Sequence, residues 1–101
     1  MYKIEFSEQA SIDITYLKFY LKFVIKNPNY AESISTEIMN AIYSLDFSPE
    51  RFSKIDIGPA NIRRMPIKKY NIYYSVDKEK LIVTVIRILY SGIDINKVAI
   101  N

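Results

Sequence analysis

The chain has 101 residues, of which 50% are hydrophobic and 14% aromatic, and its formal net charge at pH 7 is +3. This length fits one compact domain over residues 1–101, and the hydrophobic content is far above that of disordered chains. Because cysteine and histidine are both missing, disulfides, thiolate chemistry and the commonest general base and metal ligand are excluded, and we predict no metal and no cofactor.

The N-terminal residues predict a short strand followed by a long helix. Residues 2–6 alternate between apolar and polar side chains, and Ser7 is suited to be the helix N-cap, with Glu8 near the positive end of the helix dipole. Apolar residues then recur at steps of three and four, which places them on one helical face. We expect this face to pack on a sheet, through Ala10, Ile14, Leu17, Leu21 and Val24.

The same helix carries a second apolar stripe with the same spacing. It is offset by two residues and therefore lies about 200° around the helix. Its members are Ile12, Tyr16, Phe19 and Phe23. These side chains can either pack against a second helix or bind a partner protein. Because a helix in so small a domain rarely needs two opposed apolar stripes, we predict that this one binds a partner.

A second helix is predicted from about Tyr30 to Asp46, after a break at residues 27–29. Asn29 and Glu32 have the spacing of a capping box. The apolar stripe of this helix comprises Ile34, Ile38, Ala41, Ile42 and Leu45. Residues 47–60 are predicted to be irregular, with Gly58 and Pro59 forming a turn.

Three strands are predicted after this stretch, at residues 61–66, 69–76 and 81–89, with residues 77–80 connecting the last two. Residues 81–89 are almost all apolar, which is typical of an interior strand that is covered on both faces. The order of elements predicts an α+β fold, in which an N-terminal strand and a helical hairpin pack on one face of a small antiparallel sheet. No apolar run is long enough to span a membrane and no signal segment is apparent, so we predict a cytoplasmic protein without membrane contact.

The strand-forming half of the chain is basic. Residues 61–101 contain eight Lys or Arg and three acidic residues, whereas residues 1–60 contain six Lys or Arg and eight acidic residues. Lys68 and Lys69 flank a turn, where lysines are usually solvated or protect a strand edge. Arg87 differs because it interrupts an apolar strand, so its guanidinium must reach water, an acid such as Asp94, or a bound anion. We expect Arg87→Ala to affect activity more than folding.

Residues 70–94, YNIYYSVDKEKLIVTVIRILYSGID, resemble a motif of the RelE/ParE superfamily of toxins, and the similarity spans nearly the whole chain. The motif positions are matched by Tyr70, Tyr74, Arg87, Leu89 and Asp94, and Arg63 or Arg64 resembles the family's arginine on the preceding strand. Tyr90 stands where many ParE-like proteins have histidine, and Asn71 stands where many members have arginine. The pattern is closer to the ParE branch.

The resemblance implies the toxin of a type II toxin–antitoxin system, which inhibits bacterial growth by binding DNA gyrase rather than by catalysis. A cognate antitoxin would neutralise it in a hetero-oligomer. Two alternatives remain open. One is a RelE-like, ribosome-dependent messenger-RNA endonuclease, and the other is a non-toxic, partner-binding member of the same fold.

Three sets of site residues follow from these hypotheses. The target-binding set is Arg63, Arg64, Lys69, Arg87, Tyr90 and Asp94. The antitoxin-binding set is the second apolar stripe, Ile12, Tyr16, Phe19 and Phe23. For an endonuclease without histidine, the candidate catalytic residues are Arg64, Lys68, Arg87 and Tyr90.

Overall fold

The computed structural model describes residues 1–57, 61–98 and 100 as two helices and a five-stranded sheet. In chain order the elements are β1 (Lys3–Phe6), α1 (Glu8–Phe19), a π-helical turn (Tyr20–Ile25), α2 (Pro28–Tyr43), β2 (Lys54–Ile55), β3 (Ile62–Ile67), β4 (Tyr70–Asp77) and β5 (Ile82–Tyr90). Short 3-10 turns lie at Ser44–Asp46, Pro49–Arg51 and Ile95–Lys97. The turn predicted at Gly58 and Pro59 lies outside the described residues.

The first helix begins as predicted. The Ser7 hydroxyl oxygen accepts a hydrogen bond from the Ala10 N–H (3.0 Å) and donates one to the Ile86 carbonyl (2.9 Å), so the N-cap also ties the helix to β5. The sheet-facing stripe is buried only as far as Leu21, and Val24 is 55% exposed. The helix widens into the π-helical turn after Phe19, which changes the angular step between residues and rotates Val24 out of the core.

The second helix begins earlier than predicted. Its N-cap is Asn27, whose side-chain oxygen accepts from the Tyr30 N–H at 3.1 Å, and Pro28 occupies the first helical position. The predicted cap at Asn29 is therefore wrong, because a proline at the first helical position needs no N–H partner and fits the helical backbone. The predicted apolar stripe is confirmed, since Ile34, Ile38, Ile42 and Leu45 are buried.

The sheet has the order β1-β5-β4-β3-β2 and is mixed, which corrects the prediction of a purely antiparallel sheet. β1 runs parallel to β5, with pairs from Lys3↔Ile82 to Phe6↔Val85, while the other neighbours are antiparallel. Parallel pairing is open to β1 because a long stretch of chain, rather than a tight turn, connects it to β5. β2 is a two-residue strand within the stretch predicted to be irregular.

Apolar clusters cover both faces of the sheet, and the α+β class is confirmed. On the helix side, α1 and α2 pack on residues that include Ile72, Tyr74, Val83, Val85 and Ile88. The opposite face carries a smaller cluster of Ile62, Tyr73, Leu89 and Ile95. β5 is interior and buried on both faces, as predicted, and it contains a bulge at which Ile86 has no partner on β4. In the described part of the chain, no helix is long and apolar enough to cross a membrane.

Candidate functional site

The Arg87 side chain is held by an acid on the first helix. Its Nε lies 2.8 Å from Oδ2 of Asp13, and its Nη2 lies 3.0 Å from Oδ1, which makes the pair bidentate. Asp13 Oδ2 also accepts the backbone N–H of Ile88 at 2.9 Å. The two side chains are only 13% and 9% exposed. This Arg87–Asp13 pair therefore joins α1 to β5 through three charge-assisted hydrogen bonds.

The local chain path explains why Asp13 reaches β5. β1 pairs with β5 only as far as Val85, after which Ser7 begins the first helix. Beyond this point no strand of the described residues pairs with this edge of β5, and the Asp13 carboxylate accepts the N–H of Ile88 there. Sequence reasoning proposed Asp94 as an acidic partner, but Asp94 instead accepts from the Asn96 N–H at 3.0 Å and caps the last 3-10 turn.

Arg63 occupies a different, structural environment. Its guanidinium donates to the carbonyls of Glu50 (3.1 Å) and Phe52 (2.7 Å) and forms an ion pair with the Glu50 carboxylate at 3.3 Å. The nearby Tyr74 hydroxyl donates to the Pro49 carbonyl. These bonds fasten the loop around residues 49–52 to the sheet. Contact between Arg63 and a target stays a prediction, and it would require the 13%-exposed side chain to leave these partners.

The remaining predicted site residues separate into two groups. Arg64 and Arg87 both pair with Tyr73, so the three side chains form one row across β3, β4 and β5, on the face away from the helices. Lys68, Lys69 and Tyr90 lie at the other end of the strands and line a groove on the helix side. The structure therefore places Arg64 and Arg87 in one row of the sheet, separated by Tyr73 of β4, and places Tyr90 and the two lysines elsewhere.

Sequence reasoning missed the groove itself. It has a volume of about 440 Å³ and lies between the end of α1, the π-helical turn, the start of α2 and the ends of β4 and β5. Its aliphatic lining includes Leu17, Leu21, Ile34, Ile88 and Leu89. Five tyrosines surround it, namely Tyr16, Tyr20, Tyr30, Tyr70 and Tyr90. We refer to it as the tyrosine groove. The high tyrosine count, nine in 101 residues, was the signal available in the sequence.

Burial raises the pKa of Tyr70 above its ordinary value of 10.0, and the neighbouring hydroxyls of Tyr20, Tyr30 and Tyr90 raise it further. Burial likewise raises the pKa of Tyr74, although the Arg63 and Arg51 cations oppose the effect. Both phenols are therefore protonated at neutral pH and can donate hydrogen bonds, but neither can accept a proton as a general base.

The second stripe of α1 is exposed. Ile12, Tyr16, Phe19 and Phe23 are between 52% and 69% exposed. Phe19 and Phe23 contact each other with ring centroids 4.8 Å apart, and the Lys22 ammonium lies 5.3 Å from the centre of the Phe23 ring. The alternative that these side chains pack against α2 is therefore wrong. We call this set the aromatic stripe.

No metal-binding cluster is apparent in residues 1–57, 61–98 and 100, where no three acidic side chains converge suitably. The site therefore offers positive charge, tyrosine hydroxyls and exposed apolar surface.

The family model described as "ParE toxin of type II toxin-antitoxin system, parDE" matches residues 4–95. No curated protein sequence matches the chain significantly.

Three solved toxin–antitoxin structures have chains of the same fold. A ParDE chain from P. aeruginosa is 14% identical, with a TM-score of 0.72 and coverage of 89% of this chain and 96% of its own. A chain of the RelBE2 complex from Mycobacterium tuberculosis is 18% identical, with a TM-score of 0.65 and coverage of 88% of this chain and 96% of its own. A chain of the E. coli RelBE complex is 18% identical, with a TM-score of 0.63 and coverage of 92% of this chain and 100% of its own.

The structural likeness shows the fold, and the family model covers nearly the whole chain. The chain thus belongs to the RelE/ParE superfamily, in the family of ParE toxins of type II toxin–antitoxin systems.

Proposed function

We propose that the protein inhibits bacterial growth in the cytoplasm by binding DNA gyrase, and that a cognate antitoxin neutralises it. The family assignment supports a toxin, and the site geometry favours binding over catalysis. The observation that carries this choice is the separation of the four candidate catalytic residues.

Arg87 and Tyr90 lie three residues apart on β5, so they are about 10 Å apart along the strand and project to opposite faces. Lys68 forms an ion pair with Glu37 of α2 at 3.1 Å, on the helix side. Arg64 shares the far face with Arg87, but arginine stays protonated at any ordinary pH and is a poor general base. No acid and base among these four residues can therefore act together on one phosphate.

The target-binding surface in this proposal is the sheet face that carries Arg64 and Arg87, with Arg64 making the direct contact because it is exposed. Arg87 supports this face from its fixed position beside Asp13. Lys69 and Tyr90, which sequence reasoning placed in the same surface, lie in the tyrosine groove and are assigned to a partner instead.

A supercoiling assay with purified gyrase tests the proposal. Adding the protein should reduce supercoiling in a dose-dependent manner, and Arg64→Glu should weaken the inhibition. The matched control is Lys54→Glu, which makes the same charge change on an exposed residue of β2. Unchanged supercoiling, together with codon-aligned cuts in messenger RNA on translating ribosomes, would overturn the gyrase proposal.

The second candidate is the RNA endonuclease, and it is favoured by one observation, the row of Arg64 and Arg87 on one sheet face. Guanidinium groups on one sheet face can bind a phosphate and stabilise charge that develops on it. The ribosome cleavage assay described above tests this candidate directly. If neither supercoiling nor messenger RNA is affected, the non-toxic, partner-binding alternative is favoured.

The antitoxin, in our proposal, covers the aromatic stripe. Large exposed aromatic side chains are typical interface anchors, and contiguous apolar surface on a small protein usually marks a binding site. Lys18 and Lys22 lie on the same exposed side of the helix. They favour a partner segment that combines apolar and acidic residues.

A further inference from the structure

We infer that the aromatic stripe docks the free protein on the surface of an anionic phospholipid bilayer. The first helix lies in the plane of the interface, with its rings among the lipid headgroups and its lysines at the phosphates. This inference goes beyond the proposed function and rests on it only in that the antitoxin competes for the same stripe. It departs from the sequence-based prediction of no membrane contact, which considered spanning and signal segments alone.

The charge of the first helical segment favours an anionic surface. Residues 14–31 contain three lysines and no acid. All three lysines are exposed, namely Lys18, Lys22 and Lys26. The acid that precedes this stretch is Asp13, and its carboxylate is paired with Arg87. The exposed charge is therefore positive, and basic surface segments are attracted to the anionic lipids of a bilayer.

The lysines lie beside the aromatic stripe. Lys18 is offset from Phe19 by about 100° around the helix, so the two side chains flank each other. The Lys22 ammonium lies 5.3 Å from the centre of the Phe23 ring. A lysine can lay its methylene stem along apolar surface while its ammonium group stays at the polar boundary. The rings can therefore enter the interface while the ammonium groups contact lipid phosphates.

The stripe presents side chains of the types found at membrane interfaces. Phe19 and Phe23 form an exposed ring pair, and Tyr16 adds a ring whose hydroxyl can stay in the headgroup layer. Val24 and Ile25 are also exposed and extend the apolar area. From Glu8 to Ile25 the helical segment is about 25 Å long. A segment of this length and composition is typical of helices that lie on a bilayer.

Docking through this helix leaves the opposite face of the sheet accessible. The two helices cover one face, whereas the row of Arg64, Tyr73 and Arg87 lies on the other. A bilayer that contacts the stripe therefore lies on the side away from Arg64. The docked protein can still bind a target, and an antitoxin that covers the stripe releases it from the bilayer.

Co-sedimentation of the intact protein with large unilamellar vesicles tests the inference. One set of vesicles contains phosphatidylcholine alone, and the other contains equal parts of phosphatidylcholine and phosphatidylglycerol. We expect the protein to sediment with the anionic vesicles and to stay in solution with the neutral ones. Binding should weaken as salt increases, because salt screens the attraction between lysines and lipids.

Paramagnetic broadening locates the contact on the parent protein, so it does not depend on the folding of any variant. The probe is an anionic bicelle that contains lipids with nitroxide-labelled headgroups. We expect broadening of the backbone amide signals of Tyr16, Phe19 and Phe23. The signals of Arg64 and Tyr73 should stay sharp, because these residues lie on the opposite face of the sheet.

A double variant measures the apolar contribution. Phe19→Ala/Phe23→Ala should weaken binding to the anionic vesicles by about tenfold or more, because two rings no longer leave water on docking. The matched control is Phe47→Ala, at an aromatic residue that is 72% exposed and lies beyond the second helix. The control should bind as tightly as the parent.

A second double variant measures the contribution of charge. Lys18→Gln/Lys22→Gln should weaken binding by about 20-fold, because each lysine near an anionic surface contributes about fivefold. It should also reduce the salt dependence. Lys54→Gln/Lys97→Gln makes the same change in net charge at exposed lysines outside the first helix, and it should leave binding unchanged.

Several results would overturn the inference. These are a protein that does not sediment with anionic vesicles, one that binds neutral vesicles equally well, or broadening at Arg64 instead of the stripe. If vesicles do not bind, but an acidic amphipathic peptide of Leu, Phe and Glu shifts the amides of Phe19 and Phe23, the stripe serves protein partners alone. None of these measurements uses gyrase or messenger RNA, so failure of docking and failure of the proposed function are distinguishable.

Discussion

The two ends of the first helix behave in opposite ways. The N-terminal end is fastened to β5 by the Ser7 cap and by Asp13, whose carboxylate holds Arg87 and the Ile88 N–H. The C-terminal end widens into a π-helical turn and exposes apolar side chains, among them Phe19 and Phe23. One helix therefore separates two tasks: its polar contacts to the sheet hold the fold, and its exposed apolar side chains are available to a partner.

Removing the acid at the fastened end should have the largest effect. Asp13→Ala leaves a mostly buried guanidinium without its carboxylate and deprives the Ile88 N–H of its acceptor, so we expect the free energy of unfolding to fall by about 3–5 kcal/mol. Urea denaturation measures the loss. Asp94→Ala, which removes only an exposed cap, is the control and should cost about 1 kcal/mol. Equal losses in the two variants would contradict the importance of the Arg87–Asp13 pair.

The same pair revises an expectation from the sequence. Arg87→Ala was expected to affect activity more than folding, but the structure places the side chain in a bidentate pair with Asp13 of α1. We now expect it to destabilise the protein measurably, although less than Asp13→Ala, because the carboxylate keeps its bond to the Ile88 N–H.

Truncation at the exposed end should affect binding instead of folding. Phe19→Ala with Phe23→Ala should weaken antitoxin binding by about 2 kcal/mol or more, since large aromatics are common hot spots, while the melting temperature stays close to that of the parent. Isothermal titration calorimetry and thermal melts give the two readouts. Val24→Ala, at an equally exposed apolar position outside the stripe, is the control. A double variant that binds normally, or one that unfolds, would remove the distinction between the two ends.

A smaller effect on the free energy of unfolding should be visible at alkaline pH, and it should come from Tyr70 in the tyrosine groove. Burial raises the folded-state pKa of Tyr70 above 10.0, so the folded state retains the phenol proton longer than the unfolded state. Stability from this residue is fully present below pH 10 and is lost as the pH rises through the folded-state pKa. Tyr70→Phe should therefore flatten the fall in stability above about pH 10, as followed by denaturation at several pH values. A Tyr70→Phe variant whose stability falls as steeply as that of the parent would contradict this prediction.

The smallest expected change lies away from the first helix, in the turn before β5. Leu81 has φ of 56°, and its side chain is 46% exposed. Leu81→Gly removes the left-handed strain, and we expect a gain of up to about 1 kcal/mol in denaturation experiments. Leu81→Ala keeps the strain and should give no gain. A loss on substitution by glycine would show that the side chain contributes more than the strain costs.

Local patterns were sufficient to predict the helices, four of the five strands and the Ser7 cap, because hydrophobic spacing and capping chemistry act between close neighbours in the chain. They also predicted the exposed aromatic stripe. The parallel pairing of β1 with β5 could not be predicted, since both orientations satisfy the same alternation of side chains. The Asp13–Arg87 contact was missed because 74 positions separate the two residues and no local pattern marks Asp13. The tyrosine groove was missed for the same reason, because it forms only where five elements meet: α1, the π-helical turn, α2, β4 and β5.

The bulge at Ile86 decides which way an arginine can point. Before the bulge, Val83 and Val85 face the helices. After the bulge, Ile88 faces the helices. The extra residue therefore exchanges odd for even positions, and this exchange keeps Arg87 out of the helix-side core. Deleting Ile86 would restore simple alternation and turn the guanidinium toward the aliphatic cluster beneath the helices, which would break its bidentate geometry with Asp13. A single inserted residue thus shifts the alternation of side chains by one position, and this shift lets the strand carry an arginine without burying it in the helix-side core.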